Sequence, residues 1–324
     1  MVRENNMLQE ALRQLKDKIS AFSPQDQIIF NNRLIEISKA HFLPITTDSS
    51  SKSFSPSIAF VDGGQAEIIS AGNFCLSFIR VAALVYSNNQ KIKEYKDEFY
   101  LLTTAKYEKD DIFYESKTFP SAGKTLIDEN DLQISSTDVS IRLGMERAAI
   151  TSVASVARRF AELSLCGKIS ADIIVLDGIL KPSYRNEEKY LSLLPAKVCA
   201  LAKSSSLFTV SGNSPLVLLN KLSSLPLWSY SIDDANFFVK LHPRSKHVFR
   251  FTGNRDYLPH LAENSKDAIF LGYPYGLISA DRSARVSNEE KNSLRMNILL
   301  KAENKEIMEY LSATNAHDIL DSLG

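Results

Sequence analysis

The sequence predicts an α/β protein with a mixed sheet, and two features of its apolar pattern carry this prediction. First, short runs rich in β-branched and aromatic residues follow one another between residues 58 and 104, as in a meander of strands. Second, segments 171–177, 186–203 and 206–210 have the patterns of a strand, a helix and a strand. A meander followed by strand–helix–strand alternation indicates a sheet that combines antiparallel and parallel neighbours.

The N-terminal residues predict a helical arm. Residues 3–20 place their apolar side chains on one face of a helix. Ser23-Pro24 suits the start of a second helix that extends to about residue 42, because proline fits the first helical turn. The stretch 46–57 is rich in Ser, Thr and Lys and predicts a linker.

The predicted domains are therefore the arm, residues 1–50, and a main domain, residues 51–324. Asn88-Asn89 is a suitable hairpin turn within the meander. Residues 105–138 are polar and acidic, so we predict a long loop there. Residues 140–165 carry the clearest helical pattern of the chain.

Three acidic residues stand where a sheet and a helix would bring them together. Asp62 and Asp177 each end a short apolar run and are followed by glycine, which lets the backbone turn at a strand tip. Glu146 falls on the apolar stripe of the predicted helix. Such carboxylates repel one another unless a divalent cation neutralises them, so the trio predicts a magnesium- or manganese-dependent phosphodiester hydrolase.

Each of these acidic residues also has a structural explanation. Asp-Gly most often forms a turn in which the aspartate side chain caps its own backbone, and this applies to Asp62 and Asp177 alike. Glu146 would then be a surface charge paired with a nearby arginine such as Arg142 or Arg147. The repetition of the aspartate pattern, and the register of Glu146 on the apolar stripe, favour the functional interpretation.

Overall composition excludes some classes of protein. The formal net charge is +0, so attraction to nucleic acid must come from a local patch. The three cysteines show no Cys-x-x-Cys spacing, which favours buried thiols in a reducing, cytoplasmic setting. The charged N-terminus does not resemble a signal peptide, and no apolar run approaches the roughly 20 residues of a membrane span. We therefore expect no membrane association.

Residues 240–255 form a basic segment without acidic residues, and Phe249 and Phe251 are interleaved in it. A basic strand with aromatic neighbours suits a groove for the nucleic-acid backbone, whereas a charged, solvated edge strand is the alternative. Lys203 precedes an apolar run and faces either a helix dipole or a phosphate. The predicted DNA-binding cations of the segment are Lys240, Arg244, Lys246, Arg250 and Arg255.

Other catalytic patterns are missing from the sequence. Gly123-Lys124-Thr125 lacks the earlier glycine of a phosphate-binding loop, because Thr118 holds that position. The histidines do not have the spacing of a zinc site, and no Gly-x-Ser-x-Gly motif is present.

Taken in order, the motifs resemble those of the NurA nuclease family of archaea and bacteria. The resemblance spans about residue 56 to the C-terminus, and the order of the motifs carries it more than any one of them. The matching segments are Val61-Asp62-Gly63-Gly64, Met145-Glu146-Arg147-Ala148-Ala149-Ile150, Val175-Leu176-Asp177-Gly178, Ala202-Lys203-Ser204, Leu241-His242-Pro243 with Phe249-Arg250-Phe251, and Gly272-Tyr273-Pro274-Tyr275-Gly276-Leu277-Ile278-Ser279-Ala280-Asp281.

The resemblance implies an RNase H-like mixed sheet flanked by helices, with the N-terminal helical arm outside it. It also implies a metal-dependent DNA nuclease of the 5′–3′ exonuclease and single-strand endonuclease type. Such a nuclease would form a homodimer and act with a HerA-type hexameric ATPase translocase in DNA end resection, for recombinational repair of double-strand breaks.

Carried over by position, the resemblance assigns a role to each site residue. Asp62, Glu146 and Asp177 would bind Mn²⁺ or Mg²⁺, as two ions about 4 Å apart that Asp62 bridges. Lys203 would offset charge on the scissile phosphate, and Tyr273 would belong to the C-terminal site motif that contacts DNA. Asp281 stands where the family usually has histidine; it would complete the metal shell but cannot act as a neutral imidazole.

Two other functions stay open on the sequence. The Asp281 departure is consistent with a catalytically weak DNA-binding adaptor that keeps the translocase contact. An RNase H-like nuclease acting on RNA or on RNA–DNA hybrids is the other, since contacts to the backbone discriminate poorly between nucleic acids.

Overall fold

The computed structural model describes residues 2–20, 26–47, 55–121 and 123–314. The predicted cap at Ser23-Pro24 and most of the predicted linker lie outside these residues. The described strands are β1 (Gln27–Phe30), β2 (Arg33–Glu36), β3 (Phe42–Pro44), β4 (Ile58–Ala71), β5 (Phe74–Ser87), β6 (Gln90–Glu108), β7 (Asp111–Pro120), β8 (Ile134–Ser135), β9 (Ile173–Asp177), β10 (Val198–Ala202), β11 (Trp228–Ser231), β12 (Asn236–Lys240) and β13 (Phe249–Thr252). The described α-helices are α1 (Val2–Ser20), α2 (Val153–Cys166), α3 (Glu187–Ser192), α4 (Pro215–Leu222), α5 (Leu258–Asn264), α6 (Tyr275–Ala284), α7 (Asn288–Leu299) and α8 (Lys305–Thr314).

The chain divides into two compact units. The first unit combines residues 1–52 with residues 200–275, and the second combines residues 53–199 with residues 276–324. The predicted domain boundary near residue 50 lies close to the end of the first segment. However, the N-terminal residues share their compact unit with a later part of the chain, whereas the sequence prediction set them apart as an arm.

The second unit contains a mixed sheet with the strand order β8-β7-β6-β5-β4-β9. The pairings that join β4 to β5, β5 to β6, β6 to β7 and β7 to β8 are antiparallel. The pairing of β4 with β9 is parallel. Helix α2 precedes β9 in the chain and packs on β4 and β5. The predicted mixed sheet flanked by helices is therefore confirmed, and so are the Asn88-Asn89 turn and the strand that ends at Asp177.

The predicted long loop over residues 105–138 is wrong, because β6 continues to Glu108 and β7 returns beside it. Lys109 and Asp110 make the tight turn between them, each with a positive φ. The polar residues of this hairpin had suggested a loop. They are tolerated because β7 lies near the edge of the sheet, where side chains reach water.

The predicted helix over residues 140–165 begins later than expected, with a 3₁₀ turn from Ile150 and α2 from Val153. Tertiary contacts hold the preceding segment in an irregular, non-helical conformation. Tyr114 donates to the carbonyl of Ala148, and the Ala148 amide donates to the carbonyl of Ser136 at 2.7 Å. Contacts with β7 thus outweigh the local helical pattern.

The segment 186–203 also differs from its prediction, since only α3 is helical and β10 follows as a buried strand. Every residue of β10 is buried, and a run buried on both faces lacks the alternation that identifies a strand. The strand predicted over residues 206–210 is wrong, because only Thr209 there makes a β-bridge.

In the first unit, α1 confirms the first helix of the predicted arm, but the second helix is wrong. Residues 27–36 form the β1–β2 hairpin instead. Asn31 and Asn32 make its turn with positive φ values of 48° and 59°, a conformation that asparagine tolerates and that suits two-residue hairpins.

The core of the first unit forms around the β1–β2 hairpin and the sheet of order β3-β11-β12-β13-β10. Ile28 and Phe30 of β1 pack with Trp228, Tyr230 and Phe238 in one buried cluster. This burial explains why residues 27–36 fold as strands: β1 alternates Ile28 and Phe30 inward, with Ile29 exposed, and that period of two exposes only one face. Among the described helices, none is long and apolar enough to cross a membrane.

Candidate active site

Asp62 and Asp177 lie side by side on neighbouring strands. The parallel pairing of β4 with β9 runs from Ile58 opposite Ile173 to Val61 opposite Leu176. Asp62 and Asp177 are the next residue on each strand, so they continue the same register. Because adjacent strands are about 4.8 Å apart and side chains alternate between faces, the two carboxylates leave the sheet on the same side. The structure thus brings together two of the residues that the sequence selected.

Helix α6 covers the face of β4 on which Asp62 lies. Phe60, Asp62 and Gly64 share that face by alternation. The two glycines at this contact leave no room for a side chain. A Cβ added at Gly276 would lie 2.0 Å from the Phe60 ring, and a Cβ added at Gly64 would lie 2.2 Å from the Ala284 carbonyl oxygen. The beginning of α6 therefore lies over Phe60 and its end over Gly64, with the helix crossing above Asp62.

Asp281 lies on α6 at the side turned towards β9. Gly276, Leu277, Ala280 and Ala284 form the buried stripe of the helix. Ser283, on one flank of this stripe, donates to Glu94 of β6 at 2.7 Å. Asp281 is on the other flank by the 100° spacing of helical residues, and it is exposed. The helix thus carries Asp281 on the side of β9.

Gly64 sets how closely α6 approaches the site, and we expect Gly64→Ala to destabilise the protein by about 1–3 kcal/mol. The obstructing atom is a backbone carbonyl oxygen, which cannot turn aside as a side chain can. A thermal melt of this variant, beside Gly72→Ala, measures the effect. Gly72 is the matched control because nothing lies within 4 Å of its Cβ position. Equal melting temperatures for the two variants would contradict this close packing.

Helix α2 covers the other face of β4 and brings Glu162 against the site. A Cβ at Gly63 would lie 2.5 Å from Glu162 Oε1 and 2.8 Å from Arg158 Cγ. Arg158 donates to Gln65 Oε1 at 3.2 Å and to the Gly63 carbonyl at 3.4 Å. This carbonyl is accessible because the pairing with β9 ends at Val61, so Arg158 occupies the edge of β4 beyond the end of β9.

Glu162 belongs to a buried network of opposite charges. It pairs with Arg158, and Arg159 Nη1 lies 3.7 Å from its Oε2. Arg159 also donates to Glu187 at 2.8 Å and to the Ile179 carbonyl at 2.6 Å. Glu187 in turn accepts the amides of Ser183 and Tyr184, so this network fastens the loop after Asp177 to α2.

The electrostatics tie this network to the two aspartates. Burial raises the pKa of Glu162, Arg158 and Arg159 oppose the rise, and the charge of Asp177 adds to it. The charge of Asp62 contributes to the raised pKa of Arg158, after the larger effect of Glu162. Asp62, Asp177 and Glu162 are thus three carboxylates whose charges interact with one another or with shared arginines.

Glu162 is a buried acidic residue, affected by the charge of Asp177, that the sequence analysis did not select. A signal for it exists in the sequence, because Glu162 interrupts an apolar helix that runs directly into the Asp177 strand. We had assigned this position in the site to Glu146. Glu146 is exposed and lies in the loop before α2, so the prediction that it occupies the apolar stripe of a helix is wrong.

The first unit brings Lys203 and Tyr273 together. Lys203 follows β10, and its Nζ lies 5.5 Å from the centre of the Tyr273 ring, within reach of a cation–π contact. Tyr273 is buried and also packs against Phe249, at 5.2 Å between ring centres. Lys203 therefore ends a strand, where we had predicted the end of a helix.

The predicted DNA-binding cations fall into two groups. Arg250 lies over the Phe30 ring at 5.1 Å and donates to Asn236, and burial lowers its pKa. Arg255 donates to Ser229 and to the Pro44 carbonyl. These two arginines stabilise their own unit. Lys246 and Arg244 are exposed and Lys240 is half-buried, so their side chains reach solvent. The DNA-binding role of all five stays a prediction.

The donor chemistry at Asp62 and Asp177 suits a hard divalent cation, because carboxylate oxygens are the ligands that Mg²⁺ and Mn²⁺ prefer. Two carboxylates in register provide such oxygens, whereas Glu162 lies against the opposite face of β4 and pairs with Arg158. Among the described residues, however, no group of three or more His, Cys, Asp or Glu side chains is arranged to hold a metal ion.

Strand order and chemistry define the class of the fold. An antiparallel meander β4-β5-β6, then a helix, then a strand parallel to the first, with carboxylates at the tips of β4 and β9, is an RNase H-like arrangement. The predicted fold class is thus confirmed in the second unit.

Comparison with known proteins gives two results. No protein-family model matches the chain, and no curated protein matches it. Among solved structures, the chain is similar to the NurA nuclease from Sulfolobus solfataricus, with 12% identity and a TM-score of 0.45, over 90% of this chain and 91% of that one. It is also similar to the catalytic domain of human Endonuclease V, with 14% identity and a TM-score of 0.35, over 76% of this chain and 89% of that one.

Proposed function

We propose that this protein is a metal-dependent deoxyribonuclease that hydrolyses phosphodiester bonds at Asp62 and Asp177. The observation that carries the proposal is the common register of these two residues on parallel neighbouring strands. Two carboxylates in such positions repel each other, and a divalent cation relieves that repulsion. The resemblance to the NurA family, seen in the order of the sequence motifs, supports DNA as the substrate.

Asp62, Asp177 and Asp281 would hold Mn²⁺ or Mg²⁺, with Glu146 as the further carboxylate that the resemblance assigns. Glu162, against the opposite face of β4, would act on the site through Arg158. When bound, such ions supply an activated water nucleophile and stabilise the leaving oxygen. The chain's own cations have separate tasks. Lys203 would offset charge on the phosphate being cleaved, and the exposed Lys246 and Arg244 would hold the DNA backbone.

We expect substitution of Glu162 and substitution of Glu146 to have different effects on cleavage activity. We expect Glu162→Gln to lower cleavage activity by about 10- to 100-fold, because the residue is buried beside Asp177 and its charge orients Arg158. Glu146→Gln should change the activity little, since Glu146 is exposed in a loop. The two initial rates, measured at equal concentrations of folded protein, decide between them. Loss of activity in Glu146→Gln alone would instead support Glu146 as the metal-binding carboxylate that the resemblance implies.

Cleavage of end-labelled DNA tests the proposed activity directly. Linear single- and double-stranded DNA, matched RNA and an RNA–DNA hybrid should be incubated with Mn²⁺, with Mg²⁺ and with EDTA. We expect metal-dependent cleavage of DNA that EDTA abolishes. Faster cleavage of RNA or of the hybrid would instead identify an RNase H-like nuclease of that specificity. The same end labels would report the polarity, for which the resemblance suggests 5′–3′.

One observation favours a second candidate function. The described residues contain no assembled metal-binding group, and Asp281 stands where the resembling family has histidine. A catalytically weak DNA-binding adaptor would have these features. Absence of cleavage under every metal condition, together with retained DNA binding, would favour the adaptor, and Asp281→His would then be the variant to test for recovered cleavage.

In the cell, we place this activity in the cytoplasm, in DNA end resection for recombinational repair, together with a HerA-type hexameric translocase. A homodimer is the proposed form. The exposed apolar side chains Leu8, Leu12, Leu15 and Ile19 of α1 support an association of this kind, because they form one unburied helical face.

A further inference from the structure

A cavity of about 400 Å³ opens in the first unit. Its walls come from α4, from the chain just before and at the start of β13, and from Lys203 after β10. This volume lies within the range of small-ligand sites. Six of its lining residues carry the recognition chemistry: Lys203, Lys221, Lys246, Asn220, His247 and Phe249.

The cavity is strongly cationic. Three lysines, Lys203, Lys221 and Lys246, line it, and the described lining residues include no aspartate or glutamate. All three lysines are exposed. Three ammonium groups around one small cavity repel one another, and a polyvalent anion relieves that repulsion.

Asn220 adds a neutral hydrogen-bonding group to the cavity. Its side-chain nitrogen donates to the Lys246 carbonyl at 3.3 Å. Its Oδ1 is buried and has no hydrogen-bond partner. A buried acceptor without a partner is costly, so a ligand that offers a hydroxyl or amino donor there gains a bond that the protein alone does not make.

One wall of the cavity is aromatic. Phe249 lines it and packs on Tyr273, whereas His247 stacks on Phe270 with 5.0 Å between ring centres. This packing holds Phe249 and His247 in place, and flat rings of this kind suit contact with a sugar or a base.

We propose that this cavity binds the terminal phosphate monoester of a DNA strand together with its nucleoside. A monoester carries about −1.5 to −2 charge at neutral pH, whereas an internal diester carries one charge, so a cluster of three lysines matches the terminus better. The nucleoside supplies the donor for Asn220 and the surface for Phe249. The inference rests on the proposed nuclease function and extends it to recognition of the strand end.

Binding of thymidine 5′-monophosphate and of thymidine, measured by calorimetry on the full chain, tests the pocket without any need for cleavage. We expect the monophosphate to bind at least about tenfold more tightly than thymidine, and Lys221→Gln to remove that difference. Lys39→Gln is the matched control, because Lys39 is an exposed lysine of the same unit outside the cavity. If inorganic phosphate bound as tightly as the nucleotide, the cavity would be a simple anion site. The proposal that it also binds the nucleoside would then be overturned.

Oligonucleotides with a 5′-phosphate, a 3′-phosphate or hydroxyl ends then test recognition of the terminus. We expect one phosphorylated end to bind about tenfold more tightly than the hydroxyl end in the wild type and in Lys39→Gln, but not in Lys221→Gln. Equal affinity for all three in the wild type would overturn the inference. If the nucleotide binds in the cavity but no DNA is cleaved under any metal condition, the nuclease proposal fails while the pocket stands.

Discussion

Asp62→Asn is expected to lower metal-dependent DNA cleavage by about 10³-fold or more while leaving the protein folded. Asparagine has nearly the same shape as aspartate, so it preserves the packing beneath α6. It removes the negative charge that would hold a divalent cation next to Asp177. Asp177→Asn should have a similar effect, because the two residues occupy equivalent places on β4 and β9.

The double variant separates a shared site from two independent effects. If both aspartates serve one metal centre, the double variant should be scarcely less active than either single variant, since residues that act as a unit are not additive. Initial cleavage rates with Mn²⁺ measure this. Asp110→Asn is the control, because Asp110 lies in an exposed turn with a positive φ that asparagine also adopts. Asp62→Asn protein that melts normally and cleaves DNA at the wild-type rate would refute the proposed site.

Deletion of residues 1–50 is expected to unfold the first unit, whereas deletion of residues 1–20 should leave it folded. The longer deletion removes Ile28 and Phe30 from the cluster that contains Trp228 and Tyr230. Truncation of one large buried apolar residue alone costs about 2–5 kcal/mol, and a domain has only about 5–15 kcal/mol of stability. The deletion of residues 1–50 also removes β3, which pairs with β11.

The shorter deletion removes α1, whose apolar side chains are exposed rather than packed in the core. One contact of α1 with the rest of the unit is the hydrogen bond from Lys18 to the Ser211 carbonyl at 2.9 Å. We expect an unchanged melting temperature but a weaker homodimer or translocase complex, measured by light scattering and by pull-down. If both deletion variants melted at the same temperature, below that of the full chain, α1 would be part of the core.

Local patterns in the sequence were sufficient for some of the site. Asp62 and Asp177 follow apolar runs and precede glycine, and these signals lie within a few residues of each carboxylate. The first helix, the Asn88-Asn89 turn and the mixed sheet depend on similar short-range patterns, so they were predicted correctly. Backbone preference and side-chain alternation decide such features before any long-range contact forms.

Features that depend on distant partners were predicted less well. The segment of the β1–β2 hairpin was predicted to be a helix. It folds as strands because its apolar residues pack against Trp228 and Tyr230, which are far away in the chain. The segment around Glu146 also has a helical pattern, but contacts of Ala148 with Tyr114 of β7 and with Ser136 keep it out of a helix. In both segments, the intrinsic preference of a few residues is worth less than burial in a core.

The sequence by itself determined that two aspartates stand at the ends of two strands and that the sheet is mixed. Only the tertiary structure decided that β4 and β9 are parallel neighbours in a common register, that Glu162 is buried against the other face of β4, and that Lys203, Lys221 and Lys246 share one cavity. The reason is physical: a strand tip is specified by adjacent residues, whereas burial of a charge and convergence of lysines result from packing between elements that are far apart in the chain.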